Sequence, residues 1–342
     1  MVKTLPLLDA LKTLTMPGLD RNLFSSPDWL NVVCKTYRCH LYVKYIERDG
    51  NVASYIVYSI VKNFLEWKIC VCSYCDYFDC YIDRADDWTI FFNQLRAEYP
   101  EYRITVRNLR DHFARENPNF QVLSKERFHF LDVRGSIESI WKKTHDSFKS
   151  AVKQGQKNGI KIKRCDKEDL PKFFALHLSL RKNKYRLFPQ PYCFFTNIWD
   201  QYLAKDRGVF LGAFDPQDNM IGATIYLICG DTLYYKFNTS RLGSLRFRPN
   251  NVLFWEGIKF AKERDLKYID LGSSGYQQDG LILFKNHTGA QIQDIIHLGF
   301  APAHYKFSQK RILKAMTWLF TLPWTPAWLV RFGSNLIYPF LA

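Results

Sequence analysis

The order of apolar and polar residues over the first 135 positions predicts a mixed α and β domain. Two β-rich runs flank the turn Asp49-Gly50-Asn51, a pattern typical of a hairpin. Ser26 followed by Pro27 is typical of a helix start, because proline fits the first helical position. The predicted strands are 41–47, 51–61 and 67–72, and a helix is predicted over 86–98.

From Ser136 onward the pattern changes, so we place a domain boundary between 135 and 136. A long basic helix is predicted from Ser136 to the turn Asn158-Gly159, and a second amphipathic helix ends at Arg181. The further predicted strands are 160–163, 209–214, 220–229, 232–238, 267–271 and 291–298, with helices at 250–264 and 281–286. A three-stranded meander followed by helix, strand, helix and strand indicates an α+β fold rather than a doubly wound sheet.

The charge balance predicts an anionic partner. The chain has 342 residues, with 48 Lys and Arg against 33 Asp and Glu, which gives a net charge of +15. Fourteen basic and five acidic residues lie between 136 and 190, and five basic and no acidic residues lie between 301 and 342. Such local excess favours contact with phosphates, nucleic acid or an acidic lipid surface.

Several kinds of site are disfavoured by the motifs. The CxxC of Cys72 and Cys75, followed by Cys80, has no second pair of ligands at zinc-site spacing, so we expect no metal. HExxH, GxSxG and Walker phosphate-loop patterns do not occur. The odd number of cysteines and the lack of a signal-peptide pattern predict a cytoplasmic protein, and no apolar run is long enough for a membrane span.

The segment 241–290 carries a resemblance to a known family. Its carriers are Pro249-Asn250, the run 255–261, Asp270-Leu271-Gly272, Gly280-Leu281, Phe284-Lys285 and Gly289. Together with the passage 140–162, they resemble the FemX/FemAB type of aminoacyltransferase, a branch of the GNAT acyltransferase superfamily. The resemblance implies two GNAT-like α+β domains, 1–135 and 136–304, with mixed sheets flanked by helices. It also implies that the tail, 305–342, returns to the first domain.

The same resemblance implies a function and a set of site residues. Members of the family join an amino acid from aminoacyl-tRNA to an amine on a peptidoglycan precursor. Lys285, beside Phe284, matches a motif whose cation stabilises charge at the reacting carbonyl. Arg181 and Tyr185 resemble a clamp for an acceptor phosphate. The expected substrate-binding residues are Arg181, Tyr185, Tyr235, Asn250, Trp255, Asp270, Gly272 and Ser273, with Trp255 alternatively a core residue.

The turn 246–251 bears on the identity of the donor substrate. It contains no glycine, and Pro249 removes one backbone N–H that a coenzyme A pyrophosphate would use. This favours aminoacyl-tRNA over acyl-CoA as donor substrate, with no permanently bound cofactor. Two alternatives remain open: a coenzyme A-dependent N-acetyltransferase acting on an amino sugar, and a non-catalytic basic module that binds RNA or membrane. An acceptor in either polysaccharide or peptidoglycan synthesis would suit the leading hypothesis.

The tail combines cationic and aromatic side chains in a way that suits the headgroup region of an anionic bilayer. Its aromatic residues are Trp318, Phe320, Trp324, Trp328, Phe332, Tyr338 and Phe340. Prolines at 323, 326 and 339 argue against one continuous inserted helix, so we expect short helices lying flat on the inner face of the membrane. The alternative is that these aromatic side chains pack on the core of the first domain.

Overall fold

The computed structural model describes residues 2–62, 67–71, 73–109, 113–302, 315 and 317–338. The chain forms two compact units. The first contains Met1–Glu126, Asp294–Leu313 and Ile337–Ala342, and the second contains Arg127–Gln293 and Lys314–Leu336. Each unit has a sheet flanked by helices, so the fold is α+β, as the sequence predicts.

In the first unit, the strand order is β1-β2-β3-β4-β5-β12, and the one parallel pair among the registers of these strands is β4 with β5. The strands are β1 (Val2–Pro6), β2 (Leu41–Arg48), β3 (Asn51–Lys62), β4 (Trp67–Val71), β5 (Arg103–Asn108) and the later part of β12 (Gln291–Phe300). The helices are α1 (Leu7–Thr13), α2 (Pro27–Tyr37), α3 (Ala85–Glu98) and α4 (Phe113–Glu116).

Local chemistry explains the confirmed elements of this unit. The Ser26 side chain accepts a hydrogen bond from the Trp29 backbone N–H, and Pro27 occupies the first turn of α2. In the β2–β3 hairpin, Asp49 and Gly50 have φ of 50° and 76°. These left-handed conformations suit Asp and Gly, so the turn chemistry sets the hairpin.

In the second unit, the strand order is β6-β11-β10-β9-β8-β7, with β10 parallel to β11 and the pairs β7–β8, β8–β9 and β9–β10 antiparallel. The strands are β6 (Gln121–Asp132), which begins in the first unit, β7 (Lys161–Arg164), β8 (Gly208–Phe214), β9 (Met220–Cys229), β10 (Thr232–Ser240) and β11 (Tyr268–Gly275). The helices are α5 (Ile137–Lys143), α6 (Asp146–Lys157), α7 (Leu170–Leu180), α8 (Tyr192–Gln201), α9 (Pro249–Glu263), α10 (Asp279–His287) and α11 (Ala327–Ile337).

The core of the second unit lies between its sheet and helix α9. The buried face of α9 includes Leu253, Phe254 and Ile258, which pack with strand residues such as Ile221. Gly257 allows this close approach, since an added Cβ would lie 2.8 Å from the Cε1 atom of Tyr226. The Tyr226 hydroxyl donates to the backbone oxygen of Leu253 at 3.1 Å. This packing fixes the position of α9 above the sheet.

The single basic helix predicted from Ser136 is instead two helices, α5 and α6. Thr144 and His145 between them have extended backbone conformations. The Nδ1 atom of His145 accepts from the backbone N–H of Ser147 at 3.1 Å and so caps α6. This local cap competes with helix continuation, which periodicity alone does not reveal.

The described part of the tail divides between the two units, although we expected all of 305–342 to return to the first. Residues up to Leu336 group with the second unit, whereas Ile337 and Tyr338 group with the first, where the Tyr338 ring stacks on that of Tyr37. On the second unit, the tail is held by hydrogen bonds from the segment after α7, in which Lys182 donates to the carbonyls of Pro323 and Thr325. Phe340 and residues 303–314 lie outside the described residues. No helix in the described part of the chain is long and apolar enough to cross a membrane.

Candidate active site

The two parallel strands of the second unit diverge after a short stretch of pairing. Strand β10 pairs with β11 at three positions, the last of which is Tyr234 opposite Asp270. Both strands continue further, β10 to Ser240 and β11 to Gly275. Directly after Tyr235, β10 shifts its register against β9. A bulge of this kind increases local twist, and the C-terminal ends of β10 and β11 continue beyond the paired residues. We call the region between these two strand ends the cleft.

Three buried polar atoms at the edge of this cleft have no hydrogen-bond partner among the described residues. They are the hydroxyl oxygens of Thr239, on β10, and Ser274, on β11, and the side-chain oxygen of Asn250, in the first turn of α9. The Asn250 amide donates to the Ser240 hydroxyl at 3.4 Å, which ties α9 to the end of β10. Burying a polar atom without a partner costs about 1–3 kcal/mol. These three atoms are therefore candidate contacts for a polar ligand.

Lys285 lies at the end of β11, together with three other predicted site residues. Its side chain is buried, and Nζ donates to the backbone oxygens of Gly272 at 2.9 Å and Ser273 at 3.0 Å. The Asp270 carboxylate accepts from the Gly272 N–H at 2.6 Å. Gly272 has φ of 69°, a conformation that favours glycine. The structure thus brings Asp270, Gly272, Ser273 and Lys285 into one hydrogen-bonded cluster.

A buried histidine lies beside this cluster. The Nε2 atom of His129, on β6, is 3.2 Å from the Oδ1 atom of Asn286. Burial, followed by the charge of Lys285, lowers the pKa of His129 to about 4. His129 is therefore neutral at neutral pH, and the positive charge of this part of the site is carried by Lys285.

A cavity of about 320 Å³ lies between α6, the start of α9 and α10. Its wall combines apolar and polar side chains, among them Phe148, Gln154, Arg248, Asn251 and Phe284. Arg248 donates from Nε to the Gln154 side chain at 3.1 Å. The mixture of an aromatic ring, amides and a cation suits a ligand that has both a flat apolar part and an anionic part.

The two residues of the predicted phosphate clamp have different surroundings. A π-helical turn, Arg181–Tyr185, extends α7, and the Nε atom of Arg181 donates to the Phe188 carbonyl at 3.1 Å. Tyr185 is exposed, whereas Tyr235 is half-buried. Burial, followed by the neighbouring Tyr185, raises the pKa of Tyr235. The structure therefore brings Tyr185 close to Tyr235, while part of the Arg181 guanidinium holds the adjacent loop.

Trp255 lies in the core, where its ring centroid is 4.5 Å from that of Trp141, rather than in a groove. The side of α9 that carries it faces the packed interior, which agrees with the alternative expectation that Trp255 is a core residue. Glu256, a weaker candidate for proton transfer, forms an ion pair with Lys259 at 2.7 Å. Phe284 lines the cavity, and its ring centroid lies 5.9 Å from that of Phe254.

Within the residues that the structure describes, no group of three or more His, Cys, Asp and Glu side chains could hold a metal ion. Cys75 and Cys80 are buried, and Cys72 lies outside the described residues.

The chain is similar to one family of domains and to several solved structures. Residues 142–278 match the model of the GNAT acetyltransferase domain family. The crystal structure of FemX superposes with a TM-score of 0.62 at 13% identity, covering 85% of this chain and 93% of that chain. L-PGS from Bacillus licheniformis gives 0.54 at 10% identity, covering 87% and 94%, respectively. A tandem GNAT protein from the clavulanic acid biosynthesis pathway gives 0.55 at 10% identity, covering 90% and 100%. No curated protein matches the sequence.

These findings define the fold. The match to the GNAT acetyltransferase domain model is confined to residues 142–278, which is less than half of the chain. The chain as a whole has the FemX-like fold, so the resemblance seen in the sequence is confirmed at the level of the fold. At identities of 13% or less, the neighbours do not extend the conclusion to a substrate.

Sequence reasoning missed four residues of this region. Thr239 and Ser274 are ordinary hydroxyl residues on strands, and only the divergence of β10 and β11 gives them significance. His129 and Asn286 are 157 positions apart in the chain, so no local motif links them. The sequence carried one signal for these residues, the pair Ser273-Ser274. We predicted Ser273 as the site residue, whereas the structure buries Ser274.

Proposed function

We propose that this protein transfers an aminoacyl group from aminoacyl-tRNA to an amine on a phosphate-bearing precursor of the cell envelope. The cleft between β10 and β11 carries the proposal, because buried polar atoms without partners lie at its edge. The Lys285 ammonium, which binds the backbone of β11, adds a fixed cation to the same region. A polar cleft with one buried cation suits a substrate whose carbonyl oxygen becomes negatively charged during reaction.

The reaction exchanges an ester bond for an amide bond. The acceptor nitrogen attacks the ester carbonyl carbon, and the carbonyl oxygen becomes an oxyanion. When the oxyanion collapses, the bond between the carbonyl carbon and the ribose oxygen breaks, and the ribose hydroxyl takes the proton lost by the amine. The Lys285 charge stabilises the oxyanion more than it stabilises the neutral ester, which lowers the barrier.

The start of α9 supports a tRNA donor. Pro249 removes one N–H donor from the first turn of the helix. Three exposed arginines, Arg241, Arg246 and Arg248, lie just before it. Arginine side chains bind the phosphates of a nucleic acid well, whereas a coenzyme A pyrophosphate favours a glycine-rich turn of backbone amides. Because charged tRNA is a cytoplasmic substrate, we propose a cytoplasmic location for the reaction.

The acceptor end is assigned to the turn after α7. Tyr185 lies near Tyr235 and is exposed, so its hydroxyl is accessible to a ligand. Arg181 supplies the cation next to it and would bind a phosphate oxygen through the terminal nitrogens of its guanidinium. FemX and L-PGS, whose folds resemble this one, make an envelope precursor the acceptor class that we favour.

Coenzyme A-dependent acetylation of an amino sugar is the second candidate, because the matching family model describes an acetyltransferase domain. The test therefore presents both donors. The protein is incubated with a mixture of radiolabelled aminoacyl-tRNAs or with labelled acetyl-CoA, and peptidoglycan and polysaccharide precursors serve as acceptors. We expect label to pass from the tRNA to an acceptor. Transfer from acetyl-CoA alone would contradict the proposal.

Two variants assign the site within the same assay. Lys285→Met should lower kcat by roughly 100-fold, since it removes one transition-state stabiliser. Asn250→Ala should raise KM, because it removes a side-chain oxygen that has no partner, and should lower thermal stability slightly, because it also removes the amide that donates to Ser240. Lys267→Met, at an exposed position on the same unit, is the matched control. Full activity in folded Lys285→Met protein would remove Lys285 from the mechanism.

A further inference from the structure

The described part of the tail carries an exposed apolar surface. Six large side chains are each at least 55% exposed, and we call them the tail surface: Trp318, Leu319, Trp324, Trp328, Phe332 and Leu336. Each exposes on the order of 100 Å² or more, so together they exceed the few hundred Å² of apolar patch that monomeric proteins usually show. A patch of this size indicates an interaction site.

The tail surface is held on a rigid support. The buried Lys182 ammonium donates to the carbonyls of Pro323 at 2.8 Å and Thr325 at 2.7 Å. These two carbonyls flank Trp324, so the backbone is fixed on both sides of an indole that is 77% exposed. Arg186 donates to the Thr321 carbonyl at 2.6 Å, which fixes the preceding residues as well.

Helix α11 has one packed face and one exposed apolar face. On the packed face, an added Cβ at Gly333 would lie 2.9 Å from the Phe188 ring, and the Ser334 hydroxyl donates to the Pro189 carbonyl at 2.6 Å. Trp328, Phe332 and Leu336 follow one another at intervals of four residues on the other face. The spacing places them in one stripe along the helix. Helix α11 is therefore packed firmly on one face, and the apolar stripe is exposed because it lies on the opposite face.

The charges around this surface favour one kind of partner. Arg331 lies exposed on α11 itself. On the supporting segment, Lys184 is exposed beside Tyr185 and Leu187, which are 44% and 42% exposed. Indole rings prefer the interface between water and lipid, and cations near them are attracted to anionic headgroups. Exposed tryptophans beside the exposed cations Arg331 and Lys184 therefore match an anionic bilayer.

We infer that the tail surface is a peripheral docking site for an anionic lipid bilayer, into which Trp324, Trp328 and Phe332 insert to the depth of the headgroups. Helix α11 spans eleven residues, and it lies along the surface rather than across the membrane. The inference rests on this exposed surface and not on the proposed function. The supporting segment includes Arg181 and Tyr185, so docking would hold the proposed acceptor residues beside the membrane.

Vesicle sedimentation of the full-length protein tests the inference. Vesicles of phosphatidylcholine are compared with vesicles that also contain phosphatidylglycerol. We expect wild-type protein to sediment with the anionic vesicles and to be released by salt. The triple variant Trp324→Ser, Trp328→Ser, Phe332→Ser should bind roughly 100-fold more weakly, because each aromatic side chain contributes apolar burial. Its thermal unfolding should match wild type, since the anchoring groups are backbone carbonyls.

The matched control substitutes exposed apolar residues elsewhere. Leu8→Ser with Trp67→Ser changes side chains that are 52% and 38% exposed and should leave vesicle binding unchanged. Substitution is preferred to truncation, because removal of the tail would leave Lys182 buried without these partners. Equal binding by wild-type protein and the triple variant would overturn the inference, as would no binding by wild type. Dimerisation that the triple variant abolishes, without vesicle binding, would assign the surface to a second copy of the chain. Transfer assays without vesicles test the proposed function separately.

Discussion

At the scale of single residues, buried ionisable side chains define what is unusual about this protein. Lys285 and Lys182 are each buried and each donate to two backbone carbonyls. A buried charge needs such partners, because desolvation otherwise costs several kcal/mol. The carbonyls accept hydrogen bonds from both ammonium groups and so fix the position of each. One of them supports the candidate active site and the other supports the tail.

Two buried histidines give a prediction about pH. Burial, followed by a neighbouring cation, lowers the pKa of His129 to about 4 and the pKa of His177 to about 3, from an ordinary value of 6.5. Between pH 6.5 and these values, the unfolded chain binds protons that the folded chain does not. The free energy of unfolding should therefore fall as the pH is lowered through this range, by about 1–2 kcal/mol for each histidine at pH 5.

Denaturant unfolding at pH 7.5 and pH 5 measures this effect. His129→Gln keeps a hydrogen-bonding group next to Asn286 and should lose part of the pH dependence, whereas His40→Gln, at an exposed position, should retain all of it. An identical pH dependence in wild type and His129→Gln would show that His129 is not buried as a neutral group.

At the scale of elements, the ends of helices and strands create the site. The bulge after Tyr235 separates β10 from β11, and Pro249 starts α9 beside the opening. The π-helical turn Arg181–Tyr185 extends α7, and Arg186 after it has φ of 53°. These irregular segments lie where regular elements stop, and they present both the proposed acceptor residues and the support for the tail.

The support for the tail gives a prediction at this scale. Lys182→Met should lower the free energy of unfolding by about 1–3 kcal/mol, because the carbonyls of Pro323 and the buried Thr325 lose their donor. Limited proteolysis near Pro323–Thr325 should become faster, since the turn is no longer fixed. The exposed neighbour Lys184→Met is the matched control and should behave as wild type. Unchanged stability and proteolysis in Lys182→Met would mean that these hydrogen bonds do not hold the tail.

At the scale of the whole molecule, the excess positive charge is distributed unevenly along the chain. The net charge of +15 is concentrated between residues 136 and 190 and in the tail. Exposed lysines of this region, such as Lys142 and Lys153, lie on or beside the helices that border the cavity. A polyanionic donor would be attracted to this region before it made specific contacts.

The whole-molecule prediction concerns salt. The Kd for tRNA should rise at least tenfold between about 50 and 200 mM salt, because binding releases counterions from the phosphates. The double variant Lys142→Ala, Lys153→Ala should reduce that salt dependence, whereas Lys12→Ala with Lys35→Ala, which lie in the first unit, should not. Filter binding across a salt series measures both. A Kd that stays constant across the series would argue against a phosphate-rich donor.

The sequence by itself determined the regular elements and much of the site. Helix α9 was predicted within one residue at each end, and strand β9 was predicted with its observed bounds, because periodicity and turn residues are local signals. The family motif placed Asp270, Gly272, Ser273 and Lys285 in one set, and the structure joins them by hydrogen bonds. Strands with weaker signals, such as β5 and β6, were missed.

Only the tertiary structure decided how these elements are used. Parallel pairing of β10 with β11 joins strands separated by a whole helix, and the cleft depends on where that pairing stops. In the structure, Trp255 is a buried core residue, and Lys285 is a buried, hydrogen-bonded cation. The sequence alone is also compatible with a place in the groove for both residues. Lys182 holds the tail by hydrogen bonds to residues about 140 positions later in the chain. Such long-range contacts are set by the packing of the entire chain, so a local pattern of residues does not contain them.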